Sequence, residues 1–521
     1  MAIRDSYDYI VVGGGSSGAA VAARLSENPD VTVALLEAGP DDRKYDEVLS
    51  LKRWPELLES GLDWDYPIEE QENGNSFMRH ARAKVLGGCS SHNSCIAFHT
   101  PAEDLEIWEK LGANNWNPEN VLPLIKKLET NSREGDQYGH DGPVEIMDVP
   151  QVDPVGTAVL DACEEAGLPR KKFNTGETVK HGAEFFQINS HKDNTRSSSA
   201  VSYLHPNEKR ENLDILTDMW VTRILFADDD TNTATGVEYL ADSFNRKATI
   251  SANKEVIISA GAINSPQLLM LSGIGPREHL EEFNIDVRVD APGVGSNLQD
   301  HPEAVIQFET KVPMVRDSTQ WWEIGIFTQI DDDTDLPDLM MHYGCTPFDM
   351  HTARQGYPQA DEVFALTPNV CHARSRGTVR LRSNDYRDKP KVDPRYFTDE
   401  EGYDMRIAVE GIKLARKIAD QPALKDIVAR ELSPGADVQS DEDIADYISK
   451  THNTVYHPVG TVRMGSEDDE MSPLDPELRV KGTKNLRVAD ASVMPQIVAV
   501  NPNITCYVIG ERAAQLIAGE A

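Results

Sequence analysis

Four residues near the start of the chain have the types and spacing to hold a dinucleotide. Gly13, Gly15 and Gly18 form G-x-G-x-x-G, and Glu37 follows about 20 residues further on. In such a unit the first glycine permits a tight turn, the second admits the backbone to a pyrophosphate, and the third lets a helix pack close to a sheet. Free N–H groups at the start of that helix bind phosphate, and a carboxylate closing the next strand binds the ribose diol. The same stretch also satisfies G-x-S-x-G around Ser16, the turn that presents a hydrolase nucleophile. Its place on the first strand, and the ribose-directed Glu37 behind it, leave a serine hydrolase as the minor alternative. His301-Pro302-Glu303 mimics the H-x-E of zinc deaminases, but no P-C-x-x-C accompanies it, so no metal is expected.

The elements that must position these residues follow from hydrophobic pattern. Residues 7–12 read as a buried strand, the segment to Leu25 as a helix, and Val31–Glu37 as a second buried strand. That strand–turn–helix–strand order opens a doubly wound sheet. Glu255–Ala260 and Asn485–Ala489 are further short strands, and a helix begins after Pro502 and runs to about Gly519. Val305–Glu309, Glu323–Thr328, Asp338–Tyr343 and Thr378–Arg382 are strand-like with no clear helix between most of them. They predict an antiparallel sheet in a second domain inserted into the first. Acidic clusters at Asp228–Asp230, Asp331–Asp335 and Glu467–Glu470 read as solvated loops.

Composition narrows the function classes. The 521 residues carry 51 basic and 87 acidic side chains, a formal net charge of −36. A nucleic-acid binder should present a basic face, so this balance speaks against one. It permits a cationic ligand without requiring it. Six cysteines (Cys89, Cys95, Cys163, Cys345, Cys371, Cys506) are scattered with no C-x-x-C pair, unlike a disulfide framework or a zinc knuckle. No apolar run reaches 18 residues, and no basic-then-apolar leader precedes the first strand, so a cytoplasmic protein that does not bind membranes is expected. On that expectation the N-glycosylation pattern at Asn503-Ile504-Thr505 is coincidental.

The glycine unit does not by itself separate NAD from FAD; five further stretches do. Residues 82–93 (RAKVLGGCSSHN) resemble the first signature of the glucose–methanol–choline (GMC) oxidoreductases, and residues 261–275 (GAINSPQLLMLSGIG) their second. Residues 294–301 (VGSNLQDH), His457-Pro458-Val459-Gly460-Thr461 and Asn501-Pro502-Asn503 resemble later family segments. The resemblance implies an α/β protein with a Rossmann-like FAD-binding domain assembled from discontinuous segments, residues 1–150, 193–302 and 455–521. An inserted α+β substrate domain on an antiparallel sheet, residues 151–192 and 303–454, would cover the flavin ring. Gly13, Gly15, Ser16, Gly18, Glu37, Gly87, Gly88, Asn93, Asp490, Asn501 and Pro502 are the implied cofactor contacts. His92 stands where choline-oxidising members carry the histidine bonded covalently to the flavin. Cys89 departs from the small residue, often Ser, common at its position.

Oxidising an unactivated alcohol requires a group to manage the hydroxyl proton, dipoles or charge to hold the alkoxide, and a hydride acceptor. The resemblance gives the first two tasks to His457, with Asn501 and His342 on the same oxygen and Ser94 and Val455 beside the flavin, Val455 guiding O₂. A quaternary ammonium donates no hydrogen bond, so aromatic faces and a carboxylate must recognise it. Trp54, Trp322, Phe348 and Tyr456 match the choline-oxidising pattern, with Glu303 as the anion. Singly, each aromatic reads more readily as core packing; with Glu303 and the neighbouring His457 the set favours a cation cage. The expectation is therefore an FAD-dependent alcohol oxidase and homodimer. It converts choline to betaine aldehyde and on to glycine betaine, reducing O₂ to H₂O₂. A choline dehydrogenase with another acceptor and a flavin-binding lyase of the same fold are the alternatives.

Overall fold

The dinucleotide unit folds as its pattern requires. Strand Ser6–Val12 leads through the glycine turn into helix Ser16–Leu25, and strand Val33–Leu36 returns parallel to the first. Gly13 is left-handed (φ +103°), and a Cβ on Gly18 would stand 2.0 Å from the Gly13 carbonyl oxygen. Turn and helix therefore close together only on glycine. The computed structural model describes residues 3–228, 231–241, 246–331 and 335–519.

Seven strands form the sheet around this unit. Leu213–Leu216, Val33–Leu36, Ser6–Val12, Lys247–Ile258, Ala234–Leu240 and Val221–Phe226 lie in that spatial order, and Leu486–Val488 pairs with the end of Lys247–Ile258. The ladders among residues 6–12, 33–36, 213–216, 251–258 and 486–488 are parallel, while residues 221–226, 234–240 and 247–251 pair antiparallel. Val33–Leu36 is buried on both faces, which is why it reads as an unbroken apolar run. The terminal helix Asn503–Ala518 packs on Ser16–Leu25, tied by Ser17 Oγ donating to the Cys506 carbonyl (2.6 Å) and by Arg24 on Glu511 (2.9 Å).

The second sheet is wholly antiparallel. Val428–Ser433, Ile306–Thr310, Val363–Val370, Leu339–Gly344, Trp322–Thr328 and Gly182–Phe185 lie side by side. The short strand Pro302–Glu303 joins Val363–Val370 to Asn453–Thr454. Helix Tyr403–Ala419 covers one face and shares its core with helix Pro154–Glu165. The expected strand Thr378–Arg382 is corrected: residues 378–380 pair only with 391–393, in a separate hairpin. Val379 N–H donates to Gly295 O and Leu298 bridges Gly377, so that hairpin is held against the 295–298 turn, not the sheet. The molecule is thus α/β, a Rossmann-like sheet of separated segments beside an antiparallel half. Of the acidic clusters, 467–470 lies at the surface, while 228–230 and 331–335 fall partly outside the described residues.

Candidate active site

A cleft runs from the glycine turn to the antiparallel sheet. At its first end lie Gly13, Gly15, Ser16 and Glu37, with Gly88, Asn93, Asp490, Pro502 and Asn503 further along. Gly15 and Gly88 face each other so closely that a Cβ on Gly88 would stand 2.7 Å from the Gly15 Cα, leaving an open backbone cradle for a pyrophosphate. Glu37 is buried and accepts from Gly14 N–H (2.8 Å) and Gly39 N–H (2.7 Å), and burial raises its pKa. Ser16 Oγ donates to Asn503 Oδ1 (2.9 Å), so its hydroxyl braces the loop. Asp490 spends its carboxylate on Gly261 N–H (2.9 Å), Ser265 Oγ (2.5 Å) and Ser492 N–H (2.8 Å), fixing one helix start at the cleft wall.

Five buried polar atoms on the cleft wall, Ser259 Oγ, His92 Nε2, His342 Nε2, Asn501 Oδ1 and Asn503 Nδ2, have no hydrogen-bond partner among the described residues, which fits bound groups that supply one. Burial, with Arg82 and Arg196 nearby, holds the His92 pKa down to about 3, so its ring is neutral and nucleophilic. Gly18 and Gly87 do not line the cleft; they shape it by backbone packing. The cradle, the ribose-directed carboxylate and the unpartnered atoms together fit FAD.

At the far end three histidines meet. His457 Nδ1 lies 2.9 Å from His301 Nδ1, and His301 Nε2 lies 2.8 Å from Cys371 O and 3.1 Å from Val498 O. Burial lowers the His301 pKa to about 4, so it is neutral. Facing two carbonyls, its Nε2 must carry the proton, which leaves its Nδ1 to accept. His457 therefore donates from Nδ1 and presents a bare Nε2. Burial, then the neighbouring His301 and His342, hold His457 well below the ordinary histidine pKa, so this lone pair is free at neutral pH. Asn501 Nδ2 points at it from 3.4 Å. His342, its pKa lowered to about 4 by burial, has Nδ1 within 3.3 Å of the Asn369 amide. That contact makes Nδ1 the acceptor and puts the His342 proton on Nε2. One imidazole acceptor and one imidazole donor thus line the same cavity.

Asp300 sets the backbone beneath them. It accepts from His457 N–H (2.9 Å), Tyr396 Oη (2.5 Å) and Thr454 Oγ1 (2.5 Å). Glu303, on the adjoining short strand, is 4% exposed and lines the cavity with Trp54, Trp322, Phe348, Tyr456, Ser94 and Val455. Its pKa is pushed up to about 8 by burial, against the lowering effect of Thr367 and Asn453 nearby. Its Oε1 lies 3.8 Å from His342 Nδ1. Trp322 and Phe348 meet edge-on at 5.1 Å, and Trp54 Nε1 donates to Gln320 O (2.9 Å). The structure thus gathers every reaction and substrate residue read from the sequence into one cavity. His301 and Asp300 were not among those site residues, although both lie in the 294–301 segment that carried the resemblance. Trp220 and Tyr386, which line the cleft toward its glycine end, gave no sequence signal.

A dinucleotide cradle that opens onto an unprotonated histidine defines a flavin-dependent oxidoreductase of alcohols. Family models for GMC oxidoreductases match residues 7–303 and 373–510, and the chain belongs to that family. It is 65% identical over 515 residues to choline oxidase of Arthrobacter globiformis, covering 98% of this chain and 94% of that one. It is 37% identical to an oxygen-dependent choline dehydrogenase of Staphylococcus xylosus, covering 99% and 96%. Among solved structures it is similar to pyridoxine 4-oxidase of Mesorbium loti, with a TM-score of 0.90, 30% identity and coverage of 98% and 99%. It is also similar to formate oxidase of Aspergillus oryzae, with a TM-score of 0.91, 25% identity and coverage of 99% of each chain. No helix among the described residues is long and apolar enough to cross a membrane.

Proposed function

We propose that the chain is an FAD-dependent oxidase of choline, producing betaine aldehyde, then glycine betaine, with H₂O₂ from O₂. The observation that carries it is Glu303: a buried carboxylate among aromatic side chains, in the same cavity as an unprotonated His457. Partly desolvated, such a set recognises a cation that donates no hydrogen bond. The likeness to choline oxidase supports the same reading.

His457 Nε2 takes the hydroxyl proton, and the Asn501 amide and His342 Nε2–H hold the oxygen as charge develops on it. When bound, FAD supplies a two-electron acceptor that O₂ reoxidises. The hydrate of betaine aldehyde offers His457 a similar hydroxyl, so a second turnover yields glycine betaine. Ser94 and Val455 line the cavity beside these groups, where Val455 would guide O₂. His92, neutral and with Nε2 unpartnered, is placed in this reading as the residue linked covalently to the flavin. Residues 1–150, 193–302 and 455–521 form the FAD half, and 151–192 and 303–454 the substrate half. A homodimer rests on the resemblance alone and a cytoplasmic setting on cysteine usage and apolar patterning, and light scattering and cell fractionation test them.

Purified protein given choline in air should consume O₂ and release H₂O₂. Reduction of an artificial acceptor without O₂ uptake would favour a dehydrogenase. No redox turnover at all would refute the oxidoreductase reading of the site.

A further inference from the structure

A second cavity, of about 450 Å³, lies behind the wall of the reaction site. Its mouth is rimmed by the exposed side chains of Glu119, Lys126 and Glu177. Its inner part is mainly apolar: Phe98, Phe173, Phe327 and Val500 line it, each at most 5% exposed, beside the buried Thr100 and Asn174. The three phenyl rings contact one another at centroid distances of 5.2 to 5.7 Å, edge to face.

The wall between the two cavities is thin. Val500 lines the second cavity, and the next residue, Asn501, lines the first. Phe186, in contact with Phe98 at 5.6 Å, lies 5.7 Å from the His342 ring on its other side. The side chains at this wall, Val500, Phe98 and Phe186, offer no hydrogen-bonding atom. A cation or a water molecule crossing there would lose its hydration without compensation, whereas an uncharged apolar diatomic loses almost nothing. A choline held against Glu303 and the aromatic residues would occupy the reaction cavity itself, so an oxidant arriving by another face does not compete with it.

We infer that this funnel is an entry route for O₂, passing over the Phe98–Phe173–Phe327 cluster and between Val500 and Phe186 to the reaction site. The inference rests on the oxidase reading above. Small side-chain rotations on the nanosecond scale are enough to admit a diatomic. The route is separate from Val455, which stands on the reaction-cavity side with Tyr456 and His457.

The test separates the two half-reactions of the FAD-loaded enzyme. Val500→Phe fills the inner end, and Leu122→Trp, on helix Pro118–Leu128, plugs the outer part of the same cavity. Both variants should lower kcat/KM for O₂ at least fivefold. The anaerobic rate of flavin reduction by saturating choline should stay within twofold of wild type. Leu122→Trp keeps the test decisive where Val500→Phe does not fold. Wild-type O₂ uptake with kcat/KM for O₂ unchanged in the folded variants overturns the route and leaves the oxidase reading standing. A wild type that reduces an artificial acceptor but takes up no O₂ overturns both.

Discussion

On the proposed function, Glu303 should make choline binding pH-dependent in a way that can be worked out in advance. Its carboxyl group is buried, and the loss of water there pushes its pKa up to about 8 despite the opposing polar groups of Thr367 and Asn453. A cation binds the ionised form. The sign follows from the raised pKa: above it Glu303 is charged and ready, and below it binding must first expel a proton. The apparent dissociation constant then scales as one plus ten to the power of 8 minus pH. That is about 2-fold above its alkaline limit at pH 8, about 11-fold at pH 7 and about 100-fold at pH 6, or roughly 1.4 kcal/mol per pH unit. At pH 7 about 0.9 proton should be released per choline bound.

The control is 3,3-dimethylbutan-1-ol, which keeps the shape of choline and lacks the charge. The ratio of kcat/KM for choline to that for the neutral alcohol cancels the titration of His457 and of the flavin, and leaves Glu303. It should rise about tenfold per unit from pH 6 to 7, flatten above pH 8, and become flat throughout in Glu303→Gln. A lightly buffered solution with a pH indicator reads the proton release directly. A choline-to-analogue ratio that stays constant from pH 6 to 9 would refute the role of Glu303 as the cation's partner.

Three other outcomes follow from the geometry. His92→Ala should release its flavin on acid precipitation, while the wild type keeps a flavin absorbance band in the washed pellet; a band retained by the variant counts against His92 as the linking residue. His301→Ala removes the acceptor that holds the His457 Nδ1 proton, so flavin reduction should slow by about 100-fold with little change in choline affinity, as stopped-flow absorbance would show. A matching fall in affinity would mean that His301 serves the substrate pocket instead. Gly18→Ala forces a Cβ to within 2.0 Å of the Gly13 oxygen, so FAD per chain should drop sharply, and full flavin occupancy would contradict the packing described for that turn.

What the chain discloses in sequence, and what it withholds, divides along physical lines. The Gly13–Gly18 turn and the strands beside it were legible because each rests on contacts within about 30 residues: a positive φ, a close backbone approach, an unbroken apolar run. Strand Val363–Val370 was not, since Pro368 breaks its pattern. The register removes the objection. Ile306–Glu309 pairs with residues 363–366 and Glu303 pairs with Asn369, so Pro368 falls in the gap between two partner strands, where no ladder N–H is needed on that side. The site divides the same way. His457, Asn501 and Glu303 were singled out because segment resemblance carried them, and they line one cavity. His301 looked like half of a metal motif, because its task depends on Cys371 O and Val498 O, 70 and 197 residues away. Those two carbonyls oblige His301 Nε2 to keep its proton, and that proton, through Nδ1, decides which nitrogen of His457 is bare. The bare nitrogen of His457 is thus chosen by two backbone carbonyls, a relation that appears only once the two sheets are brought together.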